Sequence, residues 1–385
     1  MRLCACVEPG EVRCAQIRRA VSPSLQWDLV YDMAMRQRIF PLMYENINKM
    51  LADSAPAYIF NKLKVVYSDN VKHSMFLSFF LIKLLRLFEE NKICAVPFKG
   101  PVLADKVYGD IGRRFFADLD ILVSRSHAKL AWNLLLQNGF AAELAISDSL
   151  MTRYIKDEDN VSFRSNASGV IVELHWELSG NYLSKPLIME SLSGSLRISL
   201  FHKKKILSLS DEYLLLYLCI HGAKHEWAFL ELVCCVAELI RKSDRLNWRL
   251  VDDLAGDWRC RKILDLGVYL SWVLLGSSIP EMIQNRIKAK HDLSRLAQTV
   301  VSRMFQKEAG AQAGEGKRRF SHFHLSVRDS WTDQWRYLLR LLFSPTKKEW
   351  ESFSLPAHFL FLRYLLRPFR LIWQCLKIKS GVQNA

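Results

Sequence analysis

Long hydrophobic runs are missing from this sequence. No apolar stretch in its 385 residues reaches the roughly 18–20 that a membrane-spanning helix needs. Met75–Leu85 is broken by Lys83, and Val268–Ile279 is too short. Paired cysteine spacing is missing too. The nine cysteines stand at 4, 6, 14, 94, 219, 234, 235, 260 and 375. With an odd count and no recognisable secretory signal peptide, reduced thiols and a cytoplasmic location are expected. Neither zinc-finger spacing nor an RNA-recognition signature accompanies the basic residues. No serine or cysteine sits in a nucleophile elbow, and there is no internal repeat. These absences argue against a helical membrane protein, a disulfide scaffold, a zinc finger and a Ser- or Cys-dependent hydrolase.

Positive charge and apolar residues are plentiful. Lys and Arg number 54 against 39 Asp and Glu, a formal charge of +15, and half the chain is apolar. That composition is globular, and the length suits two or three domains. The excess gathers at Lys203-Lys204-Lys205, at Lys317-Arg318-Arg319 and in the last forty residues. Such a surface favours anionic partners: a nucleotide, nucleic acid or an acidic membrane. Charge alone does not choose among them, and nucleic acid has no supporting motif.

The pattern along the chain is α+β. Residues 1–90 read as a helical region, in which Val71, Met75, Leu77, Phe79, Phe80, Leu84, Leu87 and Phe88 form a broad apolar surface. Residues 91–205 read as a mixed α/β core. Ile93–Phe98 is a strand cut by Lys99-Gly100-Pro101, and Pro101 to Tyr108 a short helix whose N-terminal amides would cradle phosphate. Asp118–Val123 is the next strand, Ser126 to Asn138 an amphipathic helix, and Phe140–Ile146, Val161–Arg164 and Val170–Trp176 further strands. Helices return over 206–306. A Gly-rich segment, 307–319, reads as a linker or exposed loop. The chain ends in a helical segment, 320–385, with a capping box at Thr346-Lys347-Lys348-Glu349. Its stretch Leu355–Lys379 mixes aromatics with Arg363, Arg367, Arg370 and Lys377, a composition that fits peripheral contact with an anionic membrane.

The chemistry concentrates in the α/β core. In Asp118-Leu119-Asp120 the two acids alternate along a strand, so both point to one face, roughly 6–7 Å apart. Like charges that close repel unless a cation sits between them, and the flanking Leu119, Ile121, Leu122 and Val123 make the strand look buried. Glu173, between Val172 and Leu174, is the best partner for a third carboxylate, and alternation puts His175 on its face. Three carboxylates suit Mg²⁺ or Mn²⁺ and in-line phosphoryl displacement. Lys99, beside the Gly100 turn, and Arg113 and Arg114 are candidates to neutralise phosphates. His221 and His225 stand four apart on one helix face. Their motif, His221-Gly222-Ala223-Lys224-His225, lacks the glutamate of a zinc protease, so packing or substrate contact is expected.

These motifs resemble the uncharacterised nucleotidyltransferase family of the DNA polymerase beta-like superfamily. The likeness runs through Lys99-Gly100, Tyr108, Arg114, Asp118–Val123 and Glu173-Leu174-His175-Trp176. It continues through His221–His225 and Trp227, then Ser344-Pro345-Thr346, Trp350, Leu355-Pro356 and Arg367-Pro368. Two departures stand out: Pro101 follows the glycine where a serine or glycine is usual, and Cys235 stands where related sequences tend to carry aspartate. The resemblance implies a minimal nucleotidyltransferase sheet flanked by N-terminal helices and a larger C-terminal helical region. It implies Asp118, Asp120 and Glu173 as metal-binding and catalytic residues, and tilts His175, His221 and His225 toward substrate contact. The expected reaction moves a nucleoside monophosphate from a triphosphate such as ATP to an acceptor (small molecule, sugar, peptide or protein) and releases pyrophosphate. The rival expectations are an inactive nucleotide- or partner-binding module of the same fold, and a basic nucleic-acid-binding protein.

Overall fold

The structure is a computed structural model. It describes residues 1–306 apart from 23, 52, 53, 145, 184, 244 and 245, together with 321–344, 350, 367 and 368. The expected linker at 307–319, the capping box at 346–349 and most of the basic aromatic tail lie outside the described residues.

The fold is α+β, as the sequence pattern predicts. Five strands, β1 (Ala95–Pro97), β2 (Asp118–Val123), β3 (Phe140–Ala142), β4 (Asn160–Ser165) and β5 (Ile171–His175), form one sheet in the order β1-β2-β5-β4-β3. β2 and β5 are parallel, and every other pairing is antiparallel. β2 is buried almost throughout because it is an interior strand covered on both faces. The expected strand Phe140–Ile146 stops at Ala142, and the helix Asp148–Asp157 is one that the sequence reading did not separate from the strands. A second, two-stranded sheet, β6 (Leu196–Phe201) with β7 (Lys204–Leu209), lies beside β1.

The two faces of the sheet have different fates. Leu119, Ile121 and Val123 of β2, with Val172 and Leu174 of β5, point back into a core shared with the long helix Ala57–Glu90 and the helix Arg125–Gln137. An aromatic group anchors that side: Trp132 meets Phe163 at 5.4 Å and Tyr154 at 5.8 Å between ring centroids. Tyr154 in turn meets Trp176 at 6.0 Å and Trp350 at 5.4 Å. Leu122, on the front face, belongs instead to a second core built from helices. That core draws on the first fifty residues (Ile39, Met43, Ile47) as well as on the helices Asp211–Lys224, Leu230–Lys242 and Arg261–Leu275. Gln37 ties the two stretches, accepting from the Leu230 N–H at 2.7 Å and donating to the Met304 carbonyl at 2.7 Å.

Trp227 fixes how the helical half packs. It is fully buried, just past the Asp211–Lys224 helix, and glycines leave room for its indole on both sides. A Cβ on Gly222 would stand 2.5 Å from the indole ring, and one on Gly267 would stand 2.6 Å from Cys219 Sγ and 3.0 Å from the indole. Helix propensity alone favours Gly222→Ala by about 1 kcal/mol. A methyl group inside the contact distance of a rigid ring costs more, so a net destabilisation of about 2 kcal/mol is expected. Urea unfolding of the variant checks the sign: a more stable Gly222→Ala protein would show that the indole does not sit there.

Candidate functional site

The front face of β2 and β5 carries the acids, and the parallel register decides their spacing. Asp120 stands directly opposite Glu173, and Leu122 opposite His175. Adjacent strands lie about 4.8 Å apart, so carboxylates on the same face of paired residues converge. One ligand atom each from Asp120, Glu173 and His175 lies within 4.8 Å of the others. His175 Nε2 is 3.2 Å from Asp120 Oδ1 and 3.2 Å from Glu173 Oε2. Asp118 opens the strand on the same face, half-buried.

The turn after β1 aims a lysine at this group. Gly100 has φ of +56°, a left-handed conformation that favours glycine. A Cβ there would also stand 3.1 Å from the Asp118 carbonyl. The turn thus lies close against the start of β2, and Lys99 Nζ comes within 2.5 Å of Asp120 Oδ1. Beyond the turn, the expected short helix begins as Gly100–Leu103 and finishes as one wider π turn, Ala104–Tyr108.

Electrostatics reflect acids crowded out of water. The Asp118 carboxyl is pushed up to about 6, mainly by burial and next by the Asp120 charge, while Lys99 pulls it down. Burial disfavours the Lys99 ammonium, but Asp120 and the other nearby acidic groups more than offset this and hold its pKa well above the ordinary value. For His175, burial is likewise outweighed by hydrogen bonds to Asp120 and Glu173, so its pKa is raised. Asp120 is almost wholly buried, and its Oδ2 has no hydrogen-bond partner among the described residues. A buried carboxylate oxygen without a donor is costly. Beside a second acid and an imidazole, it is a position that a divalent cation fits.

A wall of aromatic and imidazole rings faces the acids. Phe98 stands edge-on to His175 at 5.1 Å and to Tyr217 at 5.2 Å. Tyr217 stacks on His221 at 5.9 Å, and His221 meets His225 at 4.5 Å. The spacing i, i+4, i+8 places these three on one stripe of the Asp211–Lys224 helix and its cap. Burial pushes His221 well below its ordinary pKa, with the Lys99 charge and His225 adding to the effect. Burial, then Lys224 and Lys99, hold His225 at about 4. Both imidazoles are therefore neutral near pH 7.

The two arginines are placed differently from Lys99. Arg113 Nε is 2.9 Å from Glu45 Oε2, and its Nη1 donates to the Tyr108 carbonyl at 3.0 Å. Arg114 is buried, with Nε 2.6 Å from Glu231 Oε1. Cys235 Sγ also reaches Glu231, at 3.1 Å, and Tyr108 Oη lies 3.3 Å from that sulfur. These pairs clamp the loop at 109–114 to the Phe40–Met50 and Leu230–Lys242 helices. The Arg114 charge still reaches Asp118, helping to lower its pKa. The structure thus brings Asp118, Asp120, Glu173, His175 and Lys99 together, sets His221 and His225 across from them, and turns Arg113 to Glu45. Sequence reasoning missed Phe98 and Tyr217 as the wall and Glu231 as the partner of Arg114. Extending the His221–His225 spacing by one more turn would have found Tyr217.

The family described as uncharacterised nucleotidyltransferase matches residues 23–276, about two thirds of the chain. That span contains the whole sheet, the glycine turn and the histidine stripe. No curated protein and no solved structure matches the chain. The sheet carrying alternate acids, the turn set against it and the family match agree: the chain belongs to the uncharacterised nucleotidyltransferase family.

Proposed function

We propose that the protein is a divalent-metal-dependent nucleotidyltransferase, moving a nucleoside monophosphate from a triphosphate to an acceptor hydroxyl or similar nucleophile. The observation that carries this reading is the register of β2 on β5, which sets Asp120 against Glu173 beneath the Lys99 ammonium. Asp118, Asp120 and Glu173 would hold Mg²⁺ or Mn²⁺. His175 is a borderline donor that Mn²⁺ accepts more readily than Mg²⁺. A bound divalent ion supplies charge neutralisation at the phosphates and lowers the cost of bringing an oxygen nucleophile to phosphorus.

The chain's own residues do the rest. Lys99 is a mobile point charge on a flexible stem, placed to exchange Asp120 for phosphate oxygens. The Gly100 turn keeps that stem against β2. The acceptor hydroxyl gives its proton to the Glu173 carboxylate as its oxygen attacks the α-phosphorus, the bond to the bridging oxygen breaks, and pyrophosphate leaves with the electron pair. The buried setting makes each fixed charge act strongly. Tyr217, His221 and His225 present rings and neutral imidazole nitrogens to whatever enters, a wall suited to a nucleobase or an acceptor's polar groups.

Incubating the purified protein with each labelled triphosphate, Mn²⁺ or Mg²⁺ and a cell extract should label an acceptor and release pyrophosphate. Asp120→Asn should cut turnover by about 10²-fold or more. Metal-dependent triphosphate binding with no pyrophosphate release under any pairing would replace the enzyme by a binding module.

Lys99→Met gives a test free of turnover. Removing one partner of a buried pair costs about 3–5 kcal/mol, so the metal-free variant should melt earlier than the parent. Mn²⁺ should then raise its melting temperature more than it raises the parent's, because a ligand selective for the folded state stabilises it. Equal shifts for both proteins would show that metal and lysine do not share Asp120.

Acid should remove the stabilising contribution of the neutral His225 imidazole. An unfolded histidine titrates near 6.5, whereas folded His225 titrates at about 4. The unfolded chain therefore takes up the proton first, and this stability is complete above about 6.5 and lost as pH falls toward 4. Asp118 and His175, whose folded pKa values are raised, act in the opposite direction over the same window, so the check is a difference: the urea midpoint of the parent relative to His225→Gln should fall as pH drops from 6.5 toward 4. An unchanged slope in the variant would mean that the imidazole is not buried neutral.

A further inference from the structure

Arg38 stands by the histidine wall with its side-chain donors unspent. It follows the helix Trp27–Arg36 in a left-handed turn, with φ of +57° and its backbone N–H donating to the Met35 carbonyl at 3.1 Å. Glycine or asparagine takes that conformation more easily, so the turn itself gives no reason for an arginine. The guanidinium carbon lies 4.0 Å from the centroid of the Phe229 ring and 5.9 Å from that of Phe115. A guanidinium held over a ring uses its face and leaves the N–H groups at its edge free. Among the described residues Arg38 forms no ion pair, and none of its side-chain N–H groups donates a hydrogen bond. Arg113 and Arg114, by contrast, are committed to Glu45 and Glu231.

The stack is built in from both sides. Gln37, next to Arg38, accepts from the Leu230 N–H at 2.7 Å, and Leu230 is next to Phe229. Ile39, on the other side of Arg38, is buried. Phe115 follows Arg114, which is pinned to Glu231 at 2.6 Å, and its ring meets Phe40 at 6.1 Å. The guanidinium is thus positioned by residues on three segments, yet Arg38 is exposed. A planar fork held in place before its ligand arrives suits one oxyanion bound through two parallel N–H···O bonds.

The position of Arg38 along the wall selects the reactant it meets. After burial, Lys224 and Lys99, the Arg38 charge also lowers the His225 pKa, so the guanidinium stands near that imidazole. At the other end of the stripe, Lys99 is the foremost charge acting on Tyr217. Eight residues separate the two ends, about 12 Å of helix rise. On the proposed function, Lys99 and the acids take the triphosphate, which leaves the His225 end to the acceptor. Resting on that reading, we propose that Arg38 binds an anionic group, phosphate or carboxylate, carried by the acceptor.

The extract that supplies the acceptor is passed over an anion exchanger at pH 7, and both fractions are offered to the parent protein with labelled triphosphate and Mn²⁺. Acceptor activity should be retained with the anions. Treating the retained fraction with phosphatase, then removing the phosphatase, separates the two anions: lost activity marks phosphate and kept activity carboxylate. With the retained fraction varied, Arg38→Met should raise the amount needed for half-maximal transfer tenfold or more, with the triphosphate KM unchanged. Arg38→Lys should recover only part of the loss, because an ammonium presents no fork. Circular dichroism should stay that of the parent, since the exposed guanidinium donates to no described residue. Acceptor activity in the unretained fraction, an unchanged half-saturation in Arg38→Met, or a rise confined to the triphosphate KM overturns the proposal. No transfer by the parent to either fraction fails the nucleotidyl-transfer reading itself, and this proposal with it.

Discussion

The ion pair between Lys99 and Asp120 is the constraint around which the site is arranged. An isolated carboxylate at the depth of Asp120 is heavily penalised, and a lone buried ammonium equally so. At 2.5 Å each lowers the penalty of the other. That arrangement requires the turn after β1 to lie on the backbone of Asp118, which glycine at 100 permits. It also requires β2 to run parallel to β5 in one register. A one-residue slip would send Asp120 or Glu173 to the back face among Trp132, Phe163 and Leu174. The apolar residues on that back face therefore specify the site as firmly as the acids do. The pairing also leaves a carboxylate oxygen of Asp120 without a donor among the described residues.

The helical half supplies a wall of opposite character. Tyr217, His221 and His225 are kept neutral by burial, so they add rings and hydrogen-bonding nitrogens without adding charge. Their placement depends on remote packing: Trp227 sits between Gly222 and Gly267, and Gly222 is the immediate neighbour of His221. Arg114 and Glu231 join the loop ahead of β2 to the Leu230–Lys242 helix. The acidic face and its neutral wall are thus held by two separate links, one apolar and one ionic. Charge thus stands on one side of the site and neutral rings on the other, a division that on the proposed function would separate holding phosphates from choosing what they are attached to.

Much of the sheet was legible in the sequence because strand periodicity is a local signal. Asp118-Leu119-Asp120 and Val172-Glu173-Leu174 display the alternation of acid and apolar residue within a few positions. The family resemblance rested on the same residues. What distant contacts decide was not legible. Nothing near Arg113 and Arg114 says that they answer Glu45 and Glu231, which lie 68 and 117 positions away. Residues 1–90 read as a region of their own, yet Ile39, Met43 and Ile47 share a core with helices beyond residue 210. The strand expected over Phe140–Ile146 ends at Ala142. Phe98 read as the end of a strand, and its role as a spacer between His175 and Tyr217 is set by the tertiary fold.

The distribution of charge at the site differs from what the composition suggests. A net +15 suggests a phosphate-binding cleft lined with cations, but the basic residues nearest the acids are matched: Lys99 by Asp120, Arg113 by Glu45 and Arg114 by Glu231. On the proposed function, phosphate binding there would draw on Lys99 exchanging partners and on a divalent cation held by the acids. The described arginines around the Trp331–Phe343 helix are engaged as well: Arg328 lies over the Tyr182 and Tyr337 rings, Arg340 donates to the Leu183 carbonyl and Arg336 stands 3.7 Å from Asp333. The excess therefore acts on anions chiefly as a field. Charge at a distance raises the local concentration of anions and steers their approach, and salt screens it within about 10 Å.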